Sequence, residues 1–121
     1  MTILGNDIVE IDHVFLKENH VEMTGLDDLL QRSDFVSLNC DLNPTSRHLM
    51  NAHTFACMRP TGVLINSARG PIVDEPALVA SLQAGQLAGA ALDVYEHEPL
   101  PASSPLAPIT RIFILSIANV V

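Results

Sequence analysis

The strongest constraint on this chain is a rhythm in which short β-rich apolar runs alternate with amphipathic stretches carrying their own start and stop signals. The runs are "TILGND" at 2–7, "VEM" at 21–23, "DFVSLNC" at 34–40, "GVLIN" at 62–66, "LAGAALDVY" at 87–95 and "RIFIL" at 111–115. Between them, residues 10–20 place Ile11, Val14 and Phe15 on one helical face. Thr24, with Asp27 three positions later, predicts a capping box opening a short helix whose Leu26, Leu29 and Leu30 point one way and which ends near Ser33. Asn51 is the expected cap of "AHTFACM", closed by Arg59-Pro60. Asp74 caps a helix to about Ala84, with Leu78 and Leu82 at i, i+4 and Gly85 as the stop. Strands alternating with helices build β-α-β units on a parallel sheet, so the expected fold is a Rossmann-like, doubly wound α/β domain.

At 121 residues the chain fits one domain with a real core, and a hydrophobic content of 48% argues against disorder. Fourteen acids against six bases give a net charge of −8. Attraction to phosphate backbones is therefore missing, which excludes nucleic acid and anionic membrane surfaces as expected partners. No run approaches the roughly 20 apolar residues of a spanning helix, and "MTILGNDIVEID" has no basic start, so a cytoplasmic protein is expected. Cys40 and Cys57 are expected as free thiols. The histidines form no i, i+4 histidine pair and no tight cluster with cysteine, so no metal ligands are expected.

Parallel α/β sheets bind ligands outside the carboxyl ends of their strands, which brings "NCDLNP", "NSARG" and "DVYEHEP" towards one crevice. Arg69 offers a permanently charged planar fork for a carboxylate or polarised carbonyl, and Ser67, Ala68 and Gly70 leave room for a ligand. The competing reading is a surface ion pair with Asp74 or Glu75. Asp93 ends a buried run, either as an acceptor for a ligand amide or as a cap for the following turn. Glu98 is either an exposed loop acid or a carboxylate that orients an acid/base histidine. Asp7 closes the first run, as a turn residue or as an acceptor for ribose hydroxyls. The phosphate-cradling G-x-G-x-x-G is not in the chain, and "GQLAGA" only mimics it.

Residues 58–101, "MRPTGVLINSARGPIVDEPALVASLQAGQLAGAALDVYEHEPLP", resemble the signature region of the D-isomer-specific 2-hydroxyacid dehydrogenases. Residues 25–58 resemble the segment that precedes it in this family, which includes phosphoglycerate, glycerate and formate dehydrogenases. The resemblance implies NAD as cofactor and hydride transfer to or from a 2-hydroxy or 2-oxo acid. It implies that Arg69 grips the carboxylate and carbonyl of the 2-oxo acid, that Asp93 contacts the nicotinamide carboxamide, and that Glu98 pairs with a catalytic histidine. Asp7 matches the acid that holds the adenosine ribose and favours NAD over NADP. Asn39, Cys40, Asp41, Ser67 and Ala68 would line the cofactor groove.

Two departures accompany the resemblance. The family's glycine-rich loop belongs just before the strand that here starts at Met1, so the first β-α unit is expected to be missing. Where the family has a proline and the acid/base histidine, this chain reads "ILSIANVV", Ser116 running directly into Ile117. The expectation is a partial NAD-binding domain without its substrate-binding domain, weakly active or inactive alone. The alternative is a pseudoenzyme or interaction module that keeps the scaffold. In the strand order 3-2-1-4-5-6 the missing strand lies between the one ending at Asp7 and the one holding Phe35 to Leu38. Either those two pair directly or a partner chain fills the slot, and open edges predict self-association.

Overall fold

The computed structural model of the chain describes residues 1–109 and 112–114. The strands fall into two parallel sheets. Strand β1 (Ile3–Gly5) pairs with β2 (Val21–Met23) in the register Ile3 to Val21 and Gly5 to Met23. Strands β3 (Phe35–Leu38), β4 (Val63–Asn66), β5 (Gly89–Leu92) and β6 (Ile112–Ile114) form the second sheet in that order. Val36 stands beside Leu64, and Leu64 beside Ala90, so this face of β3 to β5 is buried and apolar except for Asn66 at the carboxyl end of β4. The expected parallel α/β architecture is present. β1 and β3 do not pair: among the described residues each is hydrogen-bonded on one side only, and the direct-pairing option fails.

Four helices make the crossovers: α1 (His13–Glu18), α2 (Leu26–Arg32), α3 (Ala52–Cys57) and α4 (Glu75–Gln83). The caps read from α3 and α4 are in place. Asn51 accepts the N–H groups of His53 and Thr54 while Thr54 returns a bond to the Asn51 N–H, and Asp74 accepts from the Ala77 N–H at 3.3 Å. Gly85 stops α4 with φ of +73°, a left-handed conformation that a side chain would strain.

Two local expectations are corrected. The Thr24–Asp27 capping box does not form, because Gly25 is the N-cap of α2 and the Thr24 hydroxyl donates to Asp28 at 2.7 Å. Arg32, one turn on, bonds Asp28 at 2.9 Å and grips both oxygens of Glu22 on β2, so the acid needed for the cap is one residue later and serves a strand-to-helix tie. The apolar face of α1 is not buried either, with Val14 61% and Phe15 54% exposed, since no element among the described residues covers it.

One core serves the four-stranded sheet and its helices. It is built on Leu30, Met50, Phe55, Leu64, Ile72, Leu78, Leu82, Leu87 and Leu92. Leu30 comes from α2, which lies beside α3, so side-chain packing rather than strand pairing joins the two sheets. The proline-rich segment is an irregular loop as expected, but Leu106 within it is 1% exposed and anchors it to the core. On the opposite face of the sheet Phe35 is 71% exposed.

Candidate functional site

The carboxyl end of β4 is held open by a small hydrogen-bond machine. Asn66, 1% exposed, accepts from the Ala68 N–H at 3.1 Å and donates its amide to the Arg69 carbonyl at 3.0 Å. Those two bonds fix the turn Ser67–Arg69, and the chain then tightens into a 3-10 turn at Gly70–Ile72. The segment is clamped from the other side, because Met50 donates to Ile72 at 3.1 Å and accepts from Asp74 at 2.9 Å. Gly70 meets Tyr95 so closely that a Cβ on it would lie 1.8 Å from the Tyr95 carbonyl oxygen. The sequence marks Asn66 only as a strand end; its positioning role needs the turn to be seen.

Arg69 emerges exposed from this turn, its guanidinium donating to the Ala68 carbonyl at 2.7 Å. Its two candidate ion-pair partners are occupied elsewhere. Asp74 caps α4, and the Glu75 carboxylate accepts the Glu96 N–H at 2.6 Å. Among the described residues Arg69 makes no ion pair, so the salt-bridge reading of this position fails. Instead it lines a cleft of about 270 Å³ with Leu38, Asn39, Cys40, Asp41, Ser67 and Ala68.

A second, larger cleft of about 550 Å³ opens between β1 and β3 and shares Leu38, Asn39, Cys40 and Asp41 with the first. Its floor is apolar, with Leu4, Val36, Leu26 and Leu29, and Asp7 stands at its rim. Asp7 lies two residues beyond β1, accepting the Val9 N–H at 3.0 Å. The two clefts therefore run together along the carboxyl ends of β1, β3 and β4, and they unite Arg69 with every expected groove residue except Asp93.

Asp93 and Glu98 sit apart from both clefts, around Tyr95. The Asp93 N–H donates to the Asn66 carbonyl at 3.0 Å, continuing the strand pairing by one residue. Glu98 accepts the Tyr95 N–H at 2.9 Å, and the Tyr95 hydroxyl donates to the Leu92 carbonyl at 3.2 Å. Burial first, then the negative charges of Asp93, Glu75 and Glu98, push the Tyr95 phenol above its ordinary value. A hydrogen bond between His48 Nε2 and the Glu96 carboxylate ties the segment before α3 to this loop. Residues 115–121, where the family would place its histidine, lie outside the described residues.

The family model for the "D-isomer specific 2-hydroxyacid dehydrogenase, NAD binding domain" matches residues 1–116. The chain belongs to this family. It is an NAD-binding domain of the 2-hydroxyacid dehydrogenases, and the resemblance drawn from residues 25–101 holds. It is 51% identical over 96 residues to a glyoxylate/hydroxypyruvate reductase B of Shigella boydii, covering 79% of this chain and 27% of that protein. Rhodotorula graminis D-mandelate dehydrogenase, solved in its apo form, superposes with a TM-score of 0.88 at 32% identity over 96% of this chain and 34% of its own. A D-isomer specific 2-hydroxyacid dehydrogenase of Xanthobacter autotrophicus, solved with NADPH and MES, superposes at 0.83 with 36% identity, covering 92% of this chain and 46% of its own. The chain thus spans about a quarter of the length of the curated relative.

The fold also brings together three groups that the spacing reading passes over. His53 and Cys57 are one turn apart on α3, and Asp27 in the first turn of α2 reaches the His53 Nε2 at 3.2 Å. A histidine–cysteine i, i+4 spacing is the signal for two of them; the third is brought by packing of α2 on α3. Burial, followed by the Asp27 charge, holds the Cys57 thiol above its ordinary value.

Proposed function

We propose that the two joined clefts hold NAD along the carboxyl ends of β1, β3 and β4, and that Arg69 presents a 2-oxo or 2-hydroxy acid to its nicotinamide. The observation that carries this reading is the shared cleft of Arg69 with Asn39, Cys40, Asp41, Ser67 and Ala68. The donor set suits a dinucleotide: an acceptor carboxylate at Asp7 for ribose hydroxyls, an apolar floor at Leu4 and Val36 for the adenine, and polar groups at Asn39 and Ser67 towards the other end. No basic side chain lines the stretch between Asp7 and Asn39, so the pyrophosphate finds little charge compensation among the described residues.

When bound, the nicotinamide exchanges a hydride with the carbon bearing the substrate oxygen. The chain's own residues bind and orient. The Arg69 fork donates to the substrate carboxylate and polarises the adjacent carbonyl, an interaction that gains strength as negative charge grows on that oxygen. Asp93, one residue beyond β5 and outside both clefts, is the acceptor that the family's pattern assigns to the carboxamide N–H, so the nicotinamide would extend past Ser67 and Ala68 towards β5. Glu98 accepts the Tyr95 N–H and so fixes the loop from which the family's carboxylate acts on its histidine. A carboxylate at Asp7 repels a 2′-phosphate, which favours NAD over NADP. The experiment is calorimetric titration of the chain with NADH, then with NADPH. Binding of NADH in preference to NADPH supports the reading, and no heat at millimolar NADH overturns it.

The facing edges of β1 and β3 and the exposed Phe35 further support association of the chain with itself or with a strand from a partner, through completion of the sheet. Sedimentation across a hundredfold concentration range tests it; a monomer throughout contradicts it.

A further inference from the structure

We propose that Asp27, His53 and Cys57 form a binding site for a borderline-soft divalent cation, Zn²⁺ or its spectroscopic surrogate Co²⁺, that clips α2 to α3. The three side chains offer one oxygen, one nitrogen and one sulfur ligand, all within 4.8 Å of one another. This donor mix is that of zinc and cobalt rather than of magnesium or calcium, which take oxygen ligands.

The geometry is close to that of a tetrahedral site. Bonds of about 2.0–2.1 Å to nitrogen and oxygen and about 2.3 Å to sulfur, at tetrahedral angles, set N···O at about 3.3 Å and N···S at about 3.6 Å. The structure has 3.2 Å from His53 Nε2 to Asp27 Oδ2 and 4.0 Å from His53 Nε2 to Cys57 Sγ. The first distance already fits, and the second closes with a small rotation of side chains that are exposed or half-buried.

Without an ion, the Asp27 carboxylate accepts from His53 Nε2–H and from the Cys57 thiol, so the three groups already converge on one point. A cation satisfies all three lone pairs at once and cancels the negative charge that Asp27 and a Cys57 thiolate would otherwise place side by side. The ligands are also held before any ion arrives: the Asn51–Thr54 capping box fixes the start of α3, and the Arg32 bridge to Asp28 and Glu22 fixes α2. Three protein ligands leave a fourth position facing solvent, where water completes the set.

The consequence lies at the joint of the fold. Helix α2 is the element that links the β1–β2 sheet to the main core through Leu30, and its Leu26 and Leu29 line the cleft between β1 and β3. A cation between α2 and α3 would fix that wall.

The test is titration of the 121-residue chain with Co²⁺, read by absorption. The expected result is saturation at one ion per chain, with visible bands of tetrahedral Co²⁺ and a near-ultraviolet thiolate-to-cobalt band. Cys57→Ser removes the thiolate band, whereas Cys40→Ser, at the other free cysteine, leaves it intact. His53→Gln and Asp27→Asn, both on exposed positions where folding is not at stake, weaken binding by about tenfold or more. Octahedral Co²⁺ spectra, a thiolate band that survives Cys57→Ser, or affinity unchanged in both His53→Gln and Asp27→Asn would overturn the site.

Discussion

Gly70 and Tyr95 touch backbone to backbone: a Cβ on Gly70 would stand 1.8 Å from the Tyr95 carbonyl oxygen and 1.9 Å from its carbonyl carbon. That contact seats the turn bearing Arg69 against the loop bearing Glu98, and it explains why glycine follows the arginine. Neither partner is a flexible side-chain end that can swing away. Gly70→Ala is therefore expected to destabilise the chain by at least about 1–3 kcal/mol, as overpacking does. A urea melt measures it, and a midpoint equal to that of the wild type contradicts the contact.

Asn66 carries the same turn from below. Removing its amide in Asn66→Ala leaves the Ala68 N–H and the Arg69 carbonyl without their partners at a nearly buried position. The expected cost is about 1–3 kcal/mol. Asn66→Asp keeps the bond from Ala68 but places a carboxylate against the Arg69 carbonyl, so it recovers little. Melts of both variants, run beside the wild type, check the ordering.

The caps and stops of α3 and α4 are legible because they are local: Asn51, Asp74 and Gly85 each act on groups within a few positions in the chain. So are the strands, whose apolar runs need no partner to be recognised. The α2 cap is misread because Thr24 has two acids within reach, and Arg32, ten residues from Glu22, decides which of them the hydroxyl serves. The split into two sheets depends on what stands between β1 and β3, which no local pattern encodes. For the site, Arg69 and its groove neighbours are readable as strand carboxyl ends. The close approach of Gly70 to Tyr95, the pin at Asn66 and the Asp27–His53–Cys57 cluster are long-range or turn-specific facts.

Arg69 should govern the acid end of the ligand and leave the cofactor alone. With NADH present, Arg69→Gln is expected to weaken binding of oxalate, a planar dicarboxylate mimic of a 2-oxo acid, by about 10- to 100-fold through loss of a charge-assisted pair. NADH affinity should change little. Competition calorimetry reads both quantities, and equal loss of the two would place Arg69 in a structural role.

The surface tie at Arg32 makes stability depend on acid. The Arg32 guanidinium holds Glu22 below the ordinary carboxylate range, and the Thr24 hydroxyl followed by Arg32 does the same for Asp28. Folded-state values below unfolded ones mean that the contribution is present in full above the ordinary range and is lost as pH falls through the depressed folded values. The melting temperature is expected to fall below about pH 4.5, and to fall less steeply in Arg32→Gln. Both groups are exposed, so the effect is small and shrinks with added salt. Thermal melts at low and high salt, from pH 7 to pH 3, check it.

Association through the sheet edges should respond to charge on β3. Phe35→Lys puts a cation on a strand end that is already exposed, so it is expected to shift any oligomer towards monomer without lowering the melting temperature. Light scattering beside a thermal melt separates the two effects; an unchanged oligomer contradicts edge pairing.

The most direct measurement is the calorimetric comparison of NADH with NADPH on the wild-type chain and on Asp7→Ala. The account predicts that NADH binds the wild type more tightly than NADPH, and that the substitution at Asp7 weakens NADH and erases most of the difference. No binding of NADH at millimolar concentration, or NADPH bound as tightly as NADH with Asp7 in place, would contradict it.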